Sequence, residues 1–151
     1  MFHVSTRTLA LASSVVALSM TLSACSALPP GRQAAPAEPQ VGQCVQNAES
    51  EKISDLQVTD CAKPHQAEIF YTVELSAKQR IPEEDLSDYA RDTCIDAFEG
   101  YVGRSYDESE LDTTELYPSE ESWATGERTI ACFAISADGE PLVGSVKDSK
   151  K

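Results

Sequence analysis

The chain has 151 residues, with 12 basic residues against 25 acidic ones and a formal net charge of −13. A surface this negative repels nucleic acid and anionic lipid head groups, so both are excluded as partners. It suits a basic protein partner instead, although acidic residues that only solvate a surface are the commoner case.

The first 25 residues have the organisation of a bacterial lipoprotein signal. An apolar run after Arg7 ends in Leu22-Ser23-Ala24-Cys25, a Leu three positions before a Cys with two small residues between them. This lipobox predicts that residues 1–24 are removed and that Cys25 carries the lipid. The run is shorter than the ~20 residues of a membrane-spanning helix, so a spanning segment or an ordinary secretory signal is the weaker interpretation. The predicted localisation is the extracytoplasmic face of the cell membrane, with the lipid as anchor.

The rest of the chain divides into a tether, one domain and a tail. Residues 25–40 are rich in Pro and Ala, which favour extended backbone and have nothing to bury. Residues 41–147 form a domain large enough for a modest core, and residues 148–151 are expected to be a polar, frayed tail. Removal of residues 1–24, which hold one basic residue and no acid, leaves a net charge of −14.

Four further cysteines are typical of an exported chain in an oxidising compartment. They allow three pairings, and we favour Cys44–Cys61 with Cys94–Cys132 because each bond closes a local loop. In the chain-entropy model the two bonds stabilise the fold by about 3 and about 4 kcal/mol. No Cys-x-x-Cys pair is present, so we expect no zinc site and no cofactor.

Alternating hydrophobicity predicts a small antiparallel sheet. Residues 41–45 open the domain as a short strand, and a second strand has one apolar face formed by Ile69, Tyr71, Val73 and Leu75. A third strand is predicted over 129–136. Asp138-Gly139 is typical of a hairpin turn and leads into a return strand over 142–146, which Pro141 keeps at a sheet edge.

Between the second and third strands lie the clearest helix and an acidic segment. The helix begins at Ile81-Pro82, because Pro fits the first helical position and the acids after it complement the helix dipole. Its apolar stripe includes Cys94, which would point towards a strand cysteine. Residues 104–122 have few apolar anchors and are expected to be a surface excursion. The predicted fold class is α+β, a small antiparallel sheet packed on one main helix and stabilised by two disulfides.

The opposite face of this helix carries an acidic ridge, which we define as Asp88, Asp92, Asp96 and Glu99. Like charges at this spacing cost a few tenths of a kcal/mol each on an isolated helix. A solvated face is the default interpretation, and a docking surface for a basic partner is the sharper hypothesis.

Two single residues are candidates for binding or catalysis. His65 is the only histidine after the leader, so a catalytic triad or a metal pair with Glu68 would have to use it. A structural histidine is the commoner outcome. Trp123, the sole Trp, could stack on a sugar, although packing at the start of a strand is commoner.

Nothing selects a carboxylate pair for hydrolysis, and the acids of 104–122 lack the order of a calcium loop. We therefore expect neither an enzyme nor a metal site. The alternative is a small envelope hydrolase or ligand-binding lipoprotein that uses His65.

The order of several short motifs resembles the septum formation domain of actinobacterial envelope proteins and lipoproteins, over roughly residues 41–146. The motifs are Val41-Gly42-Gln43-Cys44, residues 61–68 from Cys61 to Glu68 with Pro64-His65, Cys94 with Phe98 and Tyr101-Val102-Gly103, Pro118-Ser119 with Ser122-Trp123, Gly126-Glu127-Arg128, Cys132, and Gly144-Ser145. Gln43 stands where the family usually has an acid. The resemblance implies an extracytoplasmic module linked to cell division, with an envelope or division protein as partner. The family has no established catalytic residues, so the resemblance assigns none here.

Overall fold

The computed structural model describes residues 38–78 and 83–151. The predicted leader, Cys25 and most of the tether lie outside these residues, as do Ile81 and Pro82 at the predicted start of the helix. Within the two described ranges, no helix is both long enough and apolar enough to cross a membrane.

The described residues form one antiparallel sheet with a main helix, which confirms the predicted fold class. The helices are α1 (Glu83–Val102) and the short α2 (Glu120–Ala124). The strands are β1 (Cys44–Val45), β2 (Val58–Thr59), β3 (Ala67–Glu74), β4 (Leu111–Leu116) and β5 (Thr129–Ser136). Their order in the sheet is β2-β1-β3-β5-β4, and every neighbouring pair is antiparallel.

The core lies on both faces of the sheet. On one face, α1 buries a stripe that recurs at every fourth position and includes Cys94, as the sequence predicts. Its residues are Leu86, Ala90, Cys94, Phe98 and Val102. On the other face, the partly buried Ile53 and Leu56 from the β1–β2 connection pack against Val45, Ile69 and Phe133. The sheet is therefore covered by a helix on one side and by a short connection on the other.

Both predicted disulfides are confirmed. Cys94–Cys132 joins α1 to β5 through the middle of the core, with Cα atoms 5.4 Å apart. Cys44–Cys61 joins β1 to the turn that follows β2, with Cα atoms 5.3 Å apart. Each bond therefore connects two elements that the fold already places side by side.

The alternation predicted for the second strand is wrong in its first half. A bulge between Ile69 and Tyr71 shifts the register of β3 against β5. Phe70 is 2 % exposed and packs edge-on against Phe98, whereas Tyr71 is 37 % exposed. A bulge inserts one extra residue and breaks the alternation of side chains, so Ile69 and Val73 contact different clusters on the two faces of the sheet.

The acidic segment 104–122 is not only a surface excursion, because it contains β4. Leu111 and Leu116 are buried at the two ends of the strand, in different clusters, and the four residues between them are polar and partly buried. β4 is an edge strand that needs few apolar residues. The hydrophobic pattern from which a strand is predicted is therefore missing.

Side chains occupy the outer edge of β4. Ala137 N donates to Glu110 O, and the antiparallel register then directs the N–H groups of Leu111 and Thr113 away from β5. Ser109 Oγ accepts from Leu111 N at 3.0 Å, and Asp112 Oδ1 accepts from Thr113 N at 2.8 Å. Free N–H groups on an edge recruit further strands, so these two contacts protect the edge from strand addition.

The segment after the predicted hairpin turn is not a return strand. The turn itself is present, because Gly139 has a φ of +79° and its N–H donates to Ser136 O. Leu142 then makes a single bridge with His65, and Leu142 and Val146 insert into the core. Pro141 has no N–H to donate and Gly144 has a φ of +82°, so a regular ladder does not continue past Leu142.

The C-terminal tail is ordered, contrary to the prediction that it frays. Asp148 N donates to Tyr101 O at 2.9 Å, and Lys150 N donates to Val102 O at 3.0 Å. These two carbonyl groups lie at the end of α1, where the helix itself provides no donor. The tail therefore caps the C-terminus of α1.

Candidate functional site

Glu68 is a buried carboxylate that binds three parts of the chain together. It lies on β3 and is 0 % exposed. Its Oε1 accepts from Tyr101 Oη at 2.5 Å and from Ser145 Oγ at 2.7 Å, and its Oε2 accepts from Val146 N at 2.7 Å. A buried charge is costly unless hydrogen bonds compensate it, and these three donors, which with Glu68 we call the Glu68 cluster, do so.

The local sequence directs each member towards the others. Ala67 and Ile69 contact the layer opposite α1, so alternation points Glu68 towards the helix. Tyr101 comes from the last turn of α1. The pKa of Tyr101 is raised far above its usual value, mainly by burial and to a smaller extent by the hydrogen bond to Glu68. The hydroxyl therefore stays protonated and remains a donor.

The Cys44–Cys61 disulfide borders this carboxylate. Both sulfur atoms and a carboxylate oxygen of Glu68 lie within 4.8 Å of one another. Gly42, with a φ of +90°, passes close to Tyr101, and a Cβ atom there would lie 3.7 Å from Tyr101 Oη. Thiolates, not disulfide sulfurs, bind metals, so in the oxidised chain these three residues are not a metal centre.

His65 does not join the Glu68 cluster. The residue is 1 % exposed, and its backbone N and O pair with Leu142 at 3.0 and 2.8 Å. Its Nδ1 lies 2.8 Å from Lys63 O, which requires that Nδ1 carries the proton and donates it. Nε2 is buried and has no partner among the described residues. The ring therefore bonds to backbone rather than to the carboxylate that a catalytic triad needs.

The comparisons with known proteins place these residues in a family. The family model described as Septum formation matches residues 32–149. The chain belongs to this family. Neither the comparison with curated proteins nor the comparison with solved structures found a match. The resemblance predicted from the motifs is confirmed, and the matched range includes the whole Glu68 cluster.

Trp123 packs within the septum formation domain at the approach to β5. It lies partly buried in α2, whose first turn is capped by Ser119 Oγ accepting from Ser122 N at 3.2 Å. The guanidinium carbon of Arg128 lies 3.7 Å from the centroid of its ring, and Arg128 Nη1 donates to Trp123 O at 2.6 Å. This is a cation–π contact, and it occupies one of the two ring faces on which a sugar could stack.

The acidic ridge is exposed along α1. All four of its side chains are exposed, and Arg91 on the same helix is exposed as well. α1 packs its other face into the core, so the ridge lies away from the sheet. The structure thus brings the four predicted acids together on one surface but keeps them apart from the Glu68 cluster.

Two of the open grooves in the described part of the domain show how the predicted site residues lie. One, of about 410 Å³, lies between Ile53, α2 and Thr129. The other, of about 770 Å³, lies between Leu111, Ser136 and Pro141. Neither is lined by His65, Glu68 or Trp123. The predicted site residues therefore do not converge on either groove.

Sequence reasoning named Glu68 only as a partner of His65 and missed its role with Tyr101 and Ser145. One signal was available, because all three residues belong to the motifs that carry the family resemblance. The order of motifs does not reveal that they meet in space. Their separation along the chain, up to 77 residues, concealed the contact.

Proposed function

We propose that this septum formation domain is a lipid-anchored, non-catalytic interaction module on the extracytoplasmic face of the bacterial cell membrane. The observation that carries the proposal is the family match over residues 32–149, which links the domain to septum formation. The lipobox at Leu22–Cys25 supports the anchor. The two disulfides support export, because such bonds persist in oxidising compartments.

The burial of the chemically capable residues supports a role without catalysis. Glu68 is 0 % exposed and His65 is 1 % exposed, so no substrate atom reaches either side chain in this conformation. Each of the two carboxylate oxygens of Glu68 also accepts hydrogen bonds from within the domain. A hydrolase that uses His65 would have to expose it first, and no observation favours that alternative.

Partner binding then falls to exposed surface, and the acidic ridge is the first surface to test. A basic partner would be attracted by a chain of net charge −14 after processing, and such attraction weakens as salt shortens the Debye length. The ridge also lies along one face of the main helix, so the helical backbone sets the spacing of its four residues.

The experiment combines localisation with capture of the partner in intact cells. A fluorescent fusion of the full chain is expected at division septa. Photo-crosslinkers placed at Tyr89, an exposed residue of α1 beside the ridge, are expected to capture an envelope or division protein. The test variant combines Asp88→Asn, Asp92→Asn and Asp96→Asn. A charge-matched control combines Glu49→Gln, Glu51→Gln and Glu140→Gln, three exposed acids away from α1.

The outcomes separate the function from the surface. Loss of septal placement and capture in the test variant, with both retained in the control, supports docking through the ridge. Equal behaviour of the two variants excludes the ridge as the docking surface but does not contradict the proposed interaction module. A full chain that is distributed evenly over the envelope and captures no envelope or division protein contradicts the proposed function.

A further inference from the structure

The four disulfide cysteines differ in one respect that matters for reactivity. Cys44, Cys94 and Cys132 are each 0 % exposed, whereas Cys61 is only partly buried. Cys61 lies at the start of a turn whose next three residues, Ala62, Lys63 and Pro64, are exposed. Thiol–disulfide exchange requires that a thiolate reaches one sulfur of the bond. In the folded domain, Cys61 is therefore the one residue of these four that has exposed surface from which an external thiol could approach.

We propose that Cys61 is a site of thiol–disulfide exchange, at which an external small thiol forms a mixed disulfide while Cys94–Cys132 stays closed. The attacking thiolate forms a bond to Cys61 Sγ as the Cys44–Cys61 bond breaks. The electron pair of that bond leaves on Cys44 Sγ, and the resulting thiolate takes a proton from water. The external thiol is oxidised to the mixed disulfide, and Cys44 is reduced to a free thiol.

Glu68 slows this step. The departing negative charge forms on Cys44 Sγ, within 4.8 Å of a carboxylate oxygen of Glu68. Both groups are fully buried, where the repulsion between like charges is screened much less than in water. Glu68 therefore raises the barrier to opening. Because the reduced Cys44 stays beside Cys61, it also remains in position to reverse the exchange.

Opening the bond also affects the C-terminal part of the domain. Cys61 O accepts from Gly144 N at 2.7 Å, and Val146, two residues further on, donates to Glu68. The exchange site and the segment that closes the Glu68 cluster are therefore joined by direct hydrogen bonds. A mixed disulfide at Cys61 is expected to loosen both.

The test uses the processed, oxidised protein and a neutral thiol, 2-mercaptoethanol, with alkylation of free thiols and peptide mapping by mass spectrometry. We expect the adduct on Cys61 and the free thiol on Cys44. We also expect Cys94–Cys132 to open at least about tenfold more slowly. In concentrated urea both bonds should open at similar rates, because the fold no longer protects either. An adduct mainly on Cys44, or equal opening of both bonds in the folded protein, would overturn the proposal.

The role of Glu68 has its own variant. Glu68→Gln keeps the shape of the side chain and removes its charge, so exchange at Cys61 should become at least about fivefold faster, since the leaving thiolate no longer faces a carboxylate. Glu49→Gln, at an exposed position, should leave the rate unchanged. An unchanged rate in folded Glu68→Gln contradicts the role of Glu68. If this variant does not fold, the peptide map of the parent protein still decides which sulfur is attacked.

Discussion

Removal of a single hydroxyl group should measurably weaken the domain. Tyr101→Phe deletes Oη, which donates to Glu68 Oε1 at 2.5 Å, and keeps the ring that packs against Phe70. Glu68 is 0 % exposed, so water does not freely replace the lost donor. The carboxylate would then depend on Ser145 and Val146 alone.

The expected magnitude follows from the charge of the acceptor. A hydrogen bond to a charged group contributes about 1.5–3 kcal/mol, so the free energy of unfolding should fall by about 2 kcal/mol. An unfolding entropy of ~2.1 cal/mol/K per residue, over about 110 ordered residues, converts this loss into a Tm lower by about 9 °C. Urea denaturation at pH 7 with both disulfides closed, together with thermal denaturation, each followed by circular dichroism and by the fluorescence of Trp123, measures both quantities.

The control is a second tyrosine on the same helix. Tyr89 is 38 % exposed, so Tyr89→Phe should change the free energy of unfolding by less than about 0.5 kcal/mol. Ser145 donates to the same oxygen as Tyr101, so the double variant with Ser145→Ala should be non-additive by at least about 0.5 kcal/mol. If Tyr101→Phe costs no more than Tyr89→Phe, the Glu68 cluster is not what stabilises this part of the domain.

Three further predictions concern a partly buried acid, the sheet edge and the anchor. Burial raises the pKa of Glu115 despite the attraction of Arg91, so the charged carboxylate lowers the stability of the domain above that pKa. Glu115→Gln should therefore raise the free energy of unfolding at pH 7. It should barely change this free energy at pH 3, where the acid is neutral. Urea titrations at the two pH values check this, and an equal gain at both would contradict it. Asp112→Ala uncovers the N–H of Thr113, so sedimentation should reveal concentration-dependent association; a strict monomer would show that the edge needs no cap. Cys25→Ala should prevent lipidation and leave an uncleaved or soluble form. A variant that still floats with membranes and is processed to the same mass as the parent protein would contradict the lipoprotein prediction.

The sequence predicts those elements whose local pattern and final environment agree. The stripe of α1 has the helical period and a single buried face, so the pattern alone directs Cys94 inward and favours its pairing with Cys132. For β5 the predicted and observed bounds coincide at Thr129–Ser136, because the strand is largely apolar and central in the sheet. In both cases the hydrophobic effect acts on neighbours along the chain.

The elements that escaped prediction are shaped by contacts distant in sequence. β4 is polar between its terminal leucines because only its ends reach the core. The tail is ordered because it supplies donors to the end of α1, a need that arises only once the helix is formed. Glu68 escaped for the same reason, since its three donors lie 33, 77 and 78 residues away. No local pattern favours the burial of an acid.

The position of the family motifs limits where a partner can bind. Of the motif residues, Cys44 and Glu68 are fully buried, and the Tyr101 and Ser145 hydroxyl groups that meet Glu68 are already engaged. A group whose hydrogen bonds are satisfied inside the domain cannot also recognise another protein. These four motif residues therefore hold the domain together. The proposed partner would therefore have to recognise exposed side chains outside this network, such as those of the acidic ridge.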